Sequence, residues 1–159
     1  MADNHALHLG KLIGNLQSLE ALLRVYLLKI AQRQTPPASA GPSYWSLSVG
    51  DVVAEDAFTN YDSLGALIGK FNADVQSRDA TLRVDTAVVP VRDLLAHGRM
   101  AADSPDPSRL KIVKFDKPTG GSVKVVASAL MDEVWFKAKN DLVFTQLQHV
   151  HNAYERFAV

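Results

Sequence analysis

The stretch LGKLIGNLQSLEALLRVYLLKI, residues 9–30, decides how the rest of the chain is read. Leu9, Leu12, Ile13, Leu16, Leu19, Leu23, Tyr26, Leu27 and Ile30 recur at three- and four-residue steps, the period that lines one face of a helix. The pattern predicts a long amphipathic helix from about Asp3 to Arg33, with Asp3 or Asn4 capping its start. A lone helix cannot bury its own apolar face, so partners must follow.

They follow in order. Thr35–Ser43 is dense in proline, glycine and serine and reads as an exposed loop, and Asp51–Ala57 as a helical turn. A second helix opens at Asn60 or Asp62 and runs to Asn72, burying Leu64, Leu67, Ile68 and Phe71. A third is expected from near Asp79 to Gly98. Pro90 lies inside it and cannot donate to the helical ladder, so either the helix kinks there or a fresh helix opens at Pro90. The kinked helix is the preferred reading. After the turn-rich Asp103–Ser108, alternation in Leu110–Phe115 and Val123–Val126 around Thr119–Ser122 predicts a small β-hairpin. Asp132 then caps a last helix whose face carries Trp135, Ala138, Leu142, Leu147, Val150, Tyr154 and Phe157. The expected fold is mainly α: a four-helix bundle with a small β-hairpin inserted before the last helix, in one domain covering residues 1–159.

Composition narrows the function classes. Hydrophobic residues make up 47% and charged residues 21% of the 159, as in an ordinary globular protein. There is no cysteine, which removes disulfides and thiolate metal sites. Seventeen basic and seventeen acidic side chains cancel, so any attraction to a polyanion must come from a local patch. The first residues lack a basic and apolar leader pattern, and no apolar run is long enough for a membrane span. A cytoplasmic protein without membrane attachment is expected.

The chemically pointed segment is Pro90-Val91-Arg92-Asp93-Leu94-Leu95-Ala96-His97-Gly98-Arg99. An imidazole exchanges protons near neutral pH, so His97 suits a general acid or base. A guanidinium stays charged and grips phosphate, so Arg92 suits a phosphate clamp. Asp93 and His97, four apart, share a helical face, and Asp93 could orient the imidazole. Gly98 would end the helix and let a ligand backbone approach. Set against this, His97 and Arg99 are also what a plain helix C-terminus favours. With eight arginines and five histidines, such a spacing arises about once by chance.

The wider string resembles the motif of the HEPN superfamily: arginine, a polar residue, then four to six positions to a histidine often followed by glycine, late in the third helix of a bundle. Asp93 stands where that family more commonly has asparagine. The resemblance implies a metal-independent endoribonuclease without cofactors, of a toxin-type or defence kind. Arg92, Asp93 and His97 would be catalytic, and a homodimer would bring two motifs to one cleft. RNA would be the substrate and a cognate antitoxin a partner. From Arg92 to Lys139 there are nine basic and six acidic residues, and Arg99, Arg109, Lys111 and Lys114 are the candidate RNA contacts. Lys111 and Lys114 fall on opposite faces of the expected strand, so they cannot both serve. The alternative reading is a non-catalytic HEPN-like module that binds RNA or protein; a third is a dimeric helical protein with no RNA role.

Other residues offer less. Glu20 is placed to meet Arg92 only if the first helix crosses the third; an exposed helix glutamate is the simpler account. His5 with His8, and His149 with His151, lack the acidic company of a metal site, so no metal is expected. Tyr44 and Trp45 could form a partner patch or pack over the helices, and Trp135 and Phe136 read as core. No phosphate-cradling glycine loop and no nucleophile elbow is present.

Overall fold

The computed structural model describes residues 2–36, 43–102 and 109–159. In chain order these form α1 (Ala2–Gln34), α2 (Leu64–Gln76), α3 (Val88–His97), β1 (Arg99–Ala102), β2 (Leu110–Phe115), β3 (Val125–Leu130) and α4 (Glu133–Phe157). The protein is mainly helical with a small three-stranded antiparallel sheet, in the order β1-β2-β3. Contacts divide it into two units, Met1–Ser18 with Asp85–Leu147 and Leu19–Val84 with Gln148–Val159, so α1 and α4 each supply residues to both.

In the second unit the heptad-like stripe of α1 is buried as its spacing requires: Leu19, Leu23, Tyr26 and Ile30 lie inside with Leu64, Leu67, Ile68, Phe71 and Val75 of α2. The Tyr26 and Phe71 rings meet edge to face at 4.9 Å. Tyr26 is wholly buried, which forces its hydroxyl to find a partner; it donates to Asp74 at 2.5 Å. Burial and that carboxylate together push the phenol well above its usual pKa. Arg24 ties down the segment before α2, donating to the Asn60 and Asp62 carbonyls at 2.8 Å each and to Glu20 at 2.9 Å. Helix α2 starts at Ser63, whose hydroxyl accepts from the Ala66 amide, one residue beyond the expected Asp62.

Three expectations change here. Asp3 and Asn4 lie inside the first turn of α1, which begins at Ala2, so neither caps it. Asp51–Ala57 is not helical; instead Asp56 closes a turn by accepting from the Phe58 and Thr59 amides at 2.8 and 2.9 Å. The third helix is short. Ala80–Leu82 is a separate 3₁₀ turn capped by Asp79, and α3 begins at Val88 with Pro90 in its first turn. The kink is therefore absent: Pro90's missing N–H falls where a helix leaves its N–H groups unpaired anyway. What holds the intervening segment out of helix is Asn72, whose amide gives to and takes from the Val84 backbone at 2.8 Å each way.

In the first unit Leu12 and Leu16 of α1, Val88, Val91 and Leu94 of α3, Ile112 of β2, and Met131, Phe136 and Val143 form the core. Two buried polar side chains are satisfied there: Asn140 accepts from Asn15 at 3.1 Å, and Gln146 accepts from the Asp85 amide at 2.8 Å. Asp132 caps α4 as expected, accepting from the Trp135 amide at 2.8 Å. The expected hairpin is two strands of a three-stranded sheet. Strand β1, unforeseen, pairs with β2 from Arg99 opposite Val113 to Ala102 opposite Leu110. A bulge at Lys114 and Phe115 interrupts the pairing of β2 with β3. Residues 37–42 of the proline-rich loop and 103–108 of the turn after β1 lie outside the described residues.

Candidate functional site at the end of the third helix

Helix α3 exists because Val88, Val91 and Leu94 repeat at three-residue steps and bury against the unit's core. That packing fixes where Arg92, Asp93 and His97 go: all three keep to the solvent side. The helix then stops at Gly98, whose amide donates to the Leu94 carbonyl at 2.7 Å as the backbone turns extended into β1. A β-carbon at Gly98 would sit 2.4 Å from the Leu94 oxygen and 2.6 Å from the Ile112 side chain. The close approach that glycine permits is thus used by the protein itself, which seats β2 against the end of α3.

His97 closes the helix with its ring exposed, and among the described residues no hydrogen bond or ion pair engages it. The Arg92 side chain is 43% exposed. Its Nη1 stands 3.6 Å from one oxygen of Asp93, whose other oxygen stands 3.5 Å from the ammonium of Lys114. Asp93 therefore sits between two cations and is not hydrogen-bonded to His97, contrary to the orienting contact its spacing suggests. Helical geometry separates the other pair: five residues at 3.6 per turn put Arg92 and His97 about 140° apart around the axis of α3.

The chain matches no family model, no curated protein and no solved structure.

The basic candidates divide between the two faces of the sheet. Ile112 points to Gly98 and Lys114 to Asp93, so this face of β2 covers α3. Lys111 alternates to the opposite face, with Val113 and Phe115. Arg99, directly across from Val113, shares that face and lays its guanidinium 5.4 Å from the Phe115 ring centroid. Arg109 is exposed just before β2 and makes an interaction of its own. The structure thus brings Arg92, Asp93 and Lys114 together on one side and Arg99 with Lys111 on the other. Nothing in the sequence setting of Phe115 marks it as part of a site; only the pairing of β1 with β2 brings Arg99 over it.

The remaining candidates have structural roles. Glu20 is held by Arg24, four residues on. His8 stacks on Phe136 at 5.6 Å and His5 meets the same ring edge-on at 6.1 Å. His149 lies 2.9 Å through Nδ1 from the Arg83 carbonyl, and since a carbonyl only accepts, that nitrogen carries the proton. Among the described residues no group of three or more histidine or acidic side chains is arranged to hold a metal ion, and no helix is long and apolar enough to cross a membrane. Tyr44 stacks on Phe58 at 4.3 Å and donates to Asp56 at 2.6 Å, so it packs locally; the Trp45 side chain lies outside the described residues. Phe136 is buried, as expected, while Trp135 is half-buried at its edge.

Proposed function

We propose that this chain is a HEPN-like, metal-independent endoribonuclease acting through Arg92 and His97. The observation that carries the reading is an exposed imidazole with no described partner, at the end of α3 five residues beyond a half-exposed guanidinium. A histidine used for structure has its ring engaged, as His149 is bonded to the Arg83 carbonyl. An unengaged one is available for proton transfer.

In the proposed reaction the ribose 2′-oxygen bonds to the adjacent phosphorus while its proton passes to a base. The bond from phosphorus to the 5′-oxygen breaks, and the departing oxygen takes up a proton. Products are a 2′,3′-cyclic phosphate and a free 5′-hydroxyl. His97 moves the protons, and Arg92 neutralises charge on the crowded phosphorus. One imidazole cannot be base and acid in the same step, and Arg92 and His97 diverge around α3. Both facts favour a homodimer in which His97 of one copy works beside Arg92 of the other. A toxin-type protein restrained by a cognate antitoxin is the setting that fits such an enzyme. The ion pairs of Asp93 with Arg92 and Lys114 favour a second reading, a module whose phosphate clamp is neutralised from within.

The test is the chemistry of the products. Cleavage of a mixed RNA that persists in chelator, leaves cyclic phosphate ends and spares the same sequence made as DNA supports the enzyme. Cleavage that needs a metal, or that also cuts DNA, rejects it.

A further inference from the structure

Among the described residues no element covers the face of the sheet turned away from α3. Its residues are all exposed or half-exposed, among them Arg99, Lys111, Val113, Phe115 and Ser128, whereas the one fully buried strand residue, Ile112, lies on the other face. The three strands carry Arg99, Lys111 and Lys114 and no carboxylate. Lys114 faces Asp93, and among the described residues no carboxylate pairs with the two cations of the open face, Arg99 and Lys111. Cross-strand register sets them as neighbours: Arg99 opposes Val113, and Lys111, two residues along β2, opposes Ala101. The Arg99 guanidinium overlies the Phe115 ring, on the side of Val113 away from Lys111, presenting a flat cationic plane backed by an aromatic one.

We propose that this face binds single-stranded RNA. Two adjacent cations suit successive phosphates, and a guanidinium-on-aromatic plane suits an unpaired base, whose own flat face stacks on it. A duplex keeps its bases stacked inside and cannot use that plane. Ala101 and Ser128 are small, and Val113, Leu130 and Val125 make up the rest of the face by register. The choice of RNA over another polyanion rests on the ribonuclease reading; the stacking platform rests on the sheet alone.

The experiment measures binding of a fluorescein-labelled oligouridylate by fluorescence anisotropy, using the His97→Ala chain so that the probe survives. A duplex RNA of equal length and a polyglutamate peptide are the comparison probes. The single strand should bind best. The double change Arg99→Ala with Lys111→Ala should weaken it about tenfold or more, and should flatten the slope of log K against log salt by about 1.4. Phe115→Leu, which keeps a strand-end side chain, should cost severalfold for the single strand and little for the duplex. Lys137→Ala, a cation on α4 paired with Asp141, should change nothing. The proposal is overturned if the oligouridylate does not bind, if duplex or polyglutamate binds as well, or if the double variant binds as tightly as the parent. Sheet-dependent binding without cleavage by the wild-type chain would sink the ribonuclease reading and keep this one. Cleavage whose KM ignores the sheet variants would do the reverse.

Discussion

The Asp93 carboxylate lies 3.5 Å from the Lys114 ammonium, joining the last turns of α3 to β2 across the sheet's covered face. It also stands 3.6 Å from Arg92, so a single carboxylate neighbours both cations. In this arrangement Asp93 restrains Arg92 and opposes a phosphate brought to it.

Asp93→Asn should therefore release Arg92 without emptying the site. Asp93 is 42%, Arg92 43% and Lys114 26% exposed, so each ion pair contributes little, up to about 1 kcal/mol. The variant should cleave RNA up to about fivefold faster, with a thermal midpoint close to the parent's. Initial rates and a melting curve decide it. A loss of activity as deep as that of His97→Ala would instead give Asp93 a direct part in the reaction.

Gly98 should be intolerant of a β-carbon. Alanine there meets the Leu94 oxygen at 2.4 Å and Ile112 at 2.6 Å, and backbone must move to admit it. We expect Gly98→Ala to cost about 1–3 kcal/mol in urea unfolding. Gly69→Ala, on the exposed side of α2 with nothing within 4 Å, should gain about 0.5–1 kcal/mol. Equal effects at the two positions would contradict the seating of β2 on α3.

The turn at Asp56 sets a pH dependence. Burial works to raise the Asp56 carboxyl, but hydrogen bonds from the Tyr44 hydroxyl and the Thr59 and Phe58 amides outweigh it, and the net pKa is lowered. A depressed carboxyl stabilises the fold above its unfolded value, about 3.9, and that contribution disappears as pH falls through the lower folded value. Tyr44 runs the other way. Burial first, then Asp56, pushes it to about 12, so its contribution is present below the usual phenol value and is lost as pH rises toward 12. Asp56→Ala should cost about 1–2 kcal/mol at neutral pH, and less once the pH has fallen through the lowered folded value and the parent's carboxyl has taken up a proton. Urea midpoints at the two pH values measure this; a cost unchanged by acid would refute it.

Much of the fold is legible because burial writes a period into the chain. The stripe of α1, the Leu64–Phe71 face of α2 and the cap at Asp132 need only local information, and the structure keeps them. The errors fall where a distant partner decides. Asn72 bonds the Val84 backbone from twelve residues away and breaks what looks like one long third helix. Strand β1 is Arg-Met-Ala-Ala, with no β-branched residue, and takes extended form only through its pairing with β2. The site follows the same rule. Arg92 and His97 stand out by residue type, whereas Lys114 beside Asp93, and Phe115 beneath Arg99, are tertiary facts.

The most direct measurement is the rate of RNA cleavage in EDTA by the wild-type chain, His97→Ala and Arg92→Ala, at matched purity and with folding confirmed by circular dichroism. The account predicts chelator-resistant cleavage that falls by about a hundredfold or more in each variant. No cleavage by the wild type, or cleavage that both variants retain, would contradict it.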